Sequence, residues 1–92
     1  MENLQQIYER LCTTSSDINE HLPTLKKYAE ECETVTEMGV RVIVSTYALM
    51  MGKPKKLISI DIKHPDVITN TIGVLDYAKQ MAIDNNIDFT FV

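Results

Sequence analysis

Two acidic residues, one glycine and a pair of hydroxyls are spaced so that together they can hold a nucleoside-like ligand. Glu37-Met38-Gly39 is followed by Ser45-Thr46, and Asp61 stands 24 residues after Glu37. An acid leaving a strand, a glycine that permits a tight turn and hydroxyls at the start of the next helix form a ligand-binding turn. A carboxylate at the end of the next strand can accept hydrogen bonds from both hydroxyls of a ribose. Arg41 lies in the same turn. Its guanidinium suits a ligand carboxylate, and equally an ion pair with Glu37 or another acid. Each has a structural reading beside it: Gly39 as a plain turn glycine, Asp61 as a cap on the following loop and Ser45 as a helix cap. The remaining candidates are weaker. His21 and His64 have no second His or Cys at ligand spacing, so no metal centre is expected. Cys12 and Cys32 are not in CxxC spacing and fall in helical apolar stripes, which predicts two buried free thiols.

The elements that must position these residues follow from the hydrophobic period. Leu4, Ile7, Tyr8 and Leu11 share one face of a first helix ending near Thr13. Ser16 or Asp17 is placed to cap a second helix with the stripe Ile18, Leu22, Leu25, Ala29 and Cys32, running past Pro23. Thr34 to Met38 is rich in β-branched residues and reads as a strand. A short helix is expected from Ser45 to Met51, with Gly52 as a left-handed cap, Pro54 to stop it, and Met50-Met51 in the core. Leu57 to Ile62 is a nearly unbroken apolar run, as in a parallel strand covered on both faces. His64-Pro65-Asp66 opens one further helix with the stripe Ile68, Ile72, Leu75, Ala78 or Lys79, and Ala82, ended by Asn85-Asn86. Ile87 to Val92 is a third strand with Phe89 and Phe91 on one side.

Strands alternating with helices imply right-handed crossovers and a parallel sheet. The expected fold is therefore α/β: half of a Rossmann-like doubly wound parallel sheet, βαβαβ with strand order 3-2-1, preceded by two N-terminal helices. One domain is expected over 1–92, with a helical segment at 1–32 and the βαβαβ unit at 33–92. The chain has 92 residues, 45% of them apolar and 24% charged, so it can build a core, though a small one. The net charge of −4 comes from acids scattered among Lys and Arg, without the basic run that nucleic-acid phosphates would require. No long apolar run marks a signal peptide or a membrane span, and a cytoplasmic location is expected.

Against this frame, Ser16-Asp17-Ile18-Asn19-Glu20-His21-Leu22, Glu37-Met38-Gly39-Val40-Arg41, Ser45-Thr46 and Ser59-Ile60-Asp61-Ile62 resemble the opening of class I methyltransferase-like proteins of phage and environmental sequences. The glycine turn is also similar to that of small-molecule O-methyltransferases, where E-x-G-x-x-x-G-x-S surrounds the methionine part of S-adenosylmethionine. The resemblance implies that Glu37, Gly39 and Ser45 line the methionyl side, that Arg41 can meet the cofactor carboxylate, that Asp61 holds the ribose, and that His64 lies near the adenine rim. The chain departs from the pattern at Ile43, which stands where the second glycine would be and whose branched side chain is expected to crowd the cofactor. A nicotinamide cofactor would call for G-x-G-x-x-G, and of its glycines only Gly39 is present.

The resemblance covers the cofactor-binding part of such a protein, so no catalytic residue is assigned and the chain is expected to be truncated and catalytically incomplete alone. The alternative reading is a small non-enzymatic α/β module for oligomerisation or protein interaction. Either way the outer edge of Thr34 to Met38 carries unpaired backbone groups and few charges. Self-association is therefore expected, through that edge or through the two N-terminal helices laid over bare sheet faces.

Overall fold

The computed structural model describes residues 2–16, 18–39, 43–61, 64–69 and 72–92. Helix α1 (Leu4–Thr13) starts with a reciprocal cap, in which the Asn3 side chain accepts from the Gln6 N–H while the Gln6 side chain accepts from the Asn3 N–H. Leu4 and Ile7 are its buried residues. A 3-10 turn (Asn19–His21) leads into α2 (Leu22–Glu30), with Pro23 in the first turn, where its missing N–H costs nothing. Ser16 does not cap α2: it accepts from the Ile18 N–H ahead of the 3-10 turn, and the residue that precedes α2 is His21, without a side-chain cap. Asp17 lies outside the described residues. Cys12 is half-buried, and Cys32, just past α2, is exposed rather than buried, because the helix has already ended; both thiols are free.

Strand β1 (Thr34–Met38), helix α3 (Ser45–Met51), strand β2 (Lys56–Ile60), helices α4 (Pro65–Thr69) and α5 (Val74–Asp84), and strand β3 (Asp88–Phe91) complete the order. The three strands are parallel in the order β1-β2-β3, the expected 3-2-1 read from the other side. Val35, Leu57 and Phe89 form one cross-strand row, and Glu37, Ser59 and Phe91 the next, all directed to the helix side. Both crossovers progress across the sheet in one direction, which sends α3 and α5 to the same face. Helices α1 and α2 pack on α3 in that layer.

Among the described residues no element covers the opposite face, contrary to the expectation that β2 is covered on both sides. Ile58 is half-buried, Ile60 is exposed, and Met38 and Val92 are 82% and 65% exposed. Nor do the N-terminal helices cover that face, since they stack on α3. Two further expectations change. Gly52 is not left-handed: its φ is −72°, and Lys53 carries the positive φ. A Cβ built on Gly52 would lie 2.5 Å from the Ala29 Cβ and 2.8 Å from the Glu30 nitrogen, so glycine is there to let α3 pass close to α2.

The single helix expected after His64 is two helices. Gly73, at φ 93°, breaks it, and Ile72 is 96% exposed instead of lying on a buried stripe. Asp66 makes this break stable. Its carboxylate accepts from the Gly73 N–H at 2.9 Å and from the Leu75 N–H at 3.2 Å, capping α5 from the first turn of α4 because the glycine that precedes α5 has no side chain to do so. These bonds, that from Gly73 foremost, hold the Asp66 carboxyl below its ordinary value of 3.8. A depressed folded value means that this stabilisation is present in full above the unfolded value and is lost as pH falls through the folded one. Thermal melts followed by circular dichroism should show Asp66→Ala a few degrees less stable than the parent at pH 7, with the gap closing as the pH is taken well below 3.8.

Candidate functional site

The carboxyl ends of β1 and β2 lie side by side because Glu37 pairs with Ser59 and Met38 with Ile60. The ladder continues one step, the Gly39 N–H donating to the Ile60 carbonyl at 2.7 Å. Gly39 and Asp61 therefore leave adjacent strands at one level. Gly39 has φ 87°, and a Cβ built on it would meet nothing within 4 Å, so the space beside its α-carbon is open. Asp61 is half-buried, and its N–H points to the Val92 carbonyl at 3.4 Å. His64 is exposed and edge-on to Phe91, the ring centroids 5.6 Å apart. Its Nδ1 accepts from the Asp66 N–H at 3.1 Å, which puts the proton of the neutral ring on Nε2.

Beneath this open end lies a buried polar knot. Glu37 is 7% exposed, and its two carboxyl oxygens accept from three hydroxyls: Ser45 on one oxygen, Thr46 at 2.6 Å and Ser59 at 2.9 Å on the other. Thr46 and Ser59 are fully buried. Ser45 and Thr46 open α3 while Ser59 sits on β2, so one side chain of β1 ties three elements together. Ser45 is accordingly not a helix cap: the residue before α3 is Val44, and the Ser45 hydroxyl is directed at Glu37.

Of the residues singled out by spacing, the structure brings Glu37 and Ser45 into direct contact, aligns Gly39 with Asp61 at the strand ends, and sets His64 against β3. Arg41 lies outside the described residues. Ile43 has a positive φ of 59°, and its side chain is 4% exposed within the hydrophobic core. It therefore points into the protein instead of over the turn, although a β-branched residue is strained at positive φ.

Spacing alone missed two participants. Ser59 could have been found as a polar residue in the inward-facing row of β2, level with an inward-facing acid on β1. Asp66 carries the weaker signal of an acid in a helical first turn. Among the described residues no group of three or more His, Cys, Asp or Glu could hold a metal ion, and no helix is long and apolar enough to cross a membrane.

Comparison of the chain with protein-family models, with curated proteins and with solved structures returns no match.

Removing the Glu37 carboxyl leaves three hydroxyls, two of them fully buried, without their acceptor. Glu37→Ala should lose about 2–4 kcal/mol of unfolding free energy, from ~1–3 kcal/mol for each stranded buried group less what relaxation recovers. Glu37→Gln, which keeps one acceptor oxygen, should lose less; urea denaturation measures both.

Proposed function

We propose that the open end of the sheet is a binding site for S-adenosylmethionine and that the chain is the cofactor-binding part of a methyltransferase-like protein with a Rossmann-like half-sheet. The observation that carries this reading is Gly39, a positive-φ glycine with open space beside its α-carbon, leaving β1 level with Asp61 at the end of the neighbouring parallel strand. Open parallel sheets bind their ligands at this edge. Asp61 is the residue to accept from the ribose hydroxyls, and His64 to border the adenine.

The residues present fit the cofactor with one change of role. Glu37 and Ser45 satisfy each other, so they support the methionyl side from below, tying the end of β1 to the start of α3. The inward direction of Ile43 removes the crowding that its branched side chain would otherwise cause. When bound, the cofactor supplies an electrophilic methyl group on sulfur. This chain supplies orientation and a shaped strand-end surface.

A second reading, a small α/β module that associates with itself, is favoured by a different observation. Met38 and Ile60 are register partners on the uncovered face, and exposed Val92 follows β3 on the same side. β1 lies at a sheet edge. The partner in that reading is a second copy joined through the outer edge of 34–38.

Calorimetric titration with S-adenosylhomocysteine discriminates between them. The cofactor reading predicts saturable binding that Asp61→Ala weakens at least tenfold, about 1.4 kcal/mol, and no comparable binding of NAD. A folded protein that binds neither, and sediments as a dimer, would replace it with the association reading.

A further inference from the structure

A cavity of about 210 Å³ lies in the helix layer, lined by Arg10 and Leu11 of α1, Ile43, Tyr47 of α3, and Val74 and Tyr77 of α5. Its lining divides into two kinds. Leu11, Ile43 and Val74 are aliphatic walls; Arg10, Tyr47 and Tyr77 bring one permanent cation and two phenols to the same space. Burial pushes the Tyr47 phenol up to about 12, so it remains a neutral O–H donor across the physiological range. Tyr77 is 37% exposed and directs its hydroxyl to the Glu2 carbonyl at 3.4 Å.

Arg10 shows what the cavity's polar end takes. Its Nε donates to both oxygens of the Glu2 carboxylate, at 2.9 and 3.2 Å. A guanidinium has five N–H donors in a planar fork, and among the described residues no hydrogen bond engages the other four. The chain's own carboxylate thus occupies one side of a fork whose remaining donors are available. Both side chains are about half exposed, so the ion pair is screened and exchangeable.

We propose that this cavity binds a small carboxylate carrying an apolar body of about one ring. The ligand's carboxylate meets the terminal N–H groups of Arg10 and the Tyr47 hydroxyl; its body lies against Leu11, Ile43 and Val74. Size sets the class, since 210 Å³ falls below the ~300–1,000 Å³ of sites for drug-sized ligands and cannot enclose a nucleoside. Charge sets the head group, because a neutral analogue forfeits the charge-assisted bonds to Arg10. Glu2 competes for the same cation and tempers affinity. The proposal uses neither Gly39 nor Asp61 and stands or falls independently of the cofactor reading.

The test is a titration of the isotope-labelled full chain with benzoate, followed through backbone amide shifts, beside benzamide, its neutral isostere. Saturable shifts are expected at Leu11, Tyr47 and Val74 with benzoate and not with benzamide. Arg10→Ala should weaken benzoate binding at least tenfold, and Glu2→Gln should strengthen it severalfold. Both substitutions are at half-exposed side chains, so the fold is retained and circular dichroism verifies it. Absence of saturable shifts, equal response to benzamide, or affinity unchanged in Arg10→Ala would each overturn the proposal.

Discussion

A carboxyl group withdrawn from water has to be given donors by the protein, and at Glu37 the donors come from two other elements. Ser45 and Thr46 belong to the first turn of α3, Ser59 to the last but one position of β2. Each could have been paired locally; instead all three converge on one side chain of β1. The hydroxyls fix the relative depth of helix and sheet just under the strand ends, where apolar contacts, being non-directional, would allow sliding. From this follow the register between β1 and β2, the position at which Gly39 leaves the sheet, and the start of α3 six residues after it.

The arrangement is lopsided, and the lopsidedness has consequences. Because the strand order runs β1-β2-β3 with both crossover helices on one face, the apolar core accumulates between that face and the helices, with Met50, Leu57 and Ala82 fully buried. α1 and α2 thicken the same layer, and Gly52 allows the close crossing against Ala29 that this requires. The other face retains threonines with Met38, Ile60 and Val92. A surface of this composition can remain in water, since threonine is at home there, yet its apolar end is available for association.

Much of the scaffold could be read from the residues because local and global preferences agree. The β-branched run Thr34–Met38, the stripe of α1, and the Asn85-Asn86 stop after α5 place their elements to within a residue or so. Where the reading differed, a tertiary requirement had outweighed a local one. Gly52 has the sequence context of a left-handed cap but is demanded by helix contact. Ile72 fits a helical stripe, yet Gly73 and the Asp66 cap divide the helix there. Ser45 has the type of an N-cap and is taken by a buried acid. The acids and glycine of the candidate site were legible by type and spacing; that Glu37 and Ser59 meet was less so, because they belong to different strands and only the register brings them level.

The central claim is that the Glu37 knot is formed, closed and protected in solution. Direct observation of hydroxyl protons by NMR at low temperature tests it. The account predicts resolved, slowly exchanging Thr46 and Ser59 hydroxyl resonances, with through-hydrogen-bond coupling to the Glu37 carboxyl carbon. Hydroxyl protons at both positions that exchange with water as fast as those of exposed threonine would contradict it, and with it the fastening of α3 to β1 on which the proposed site depends.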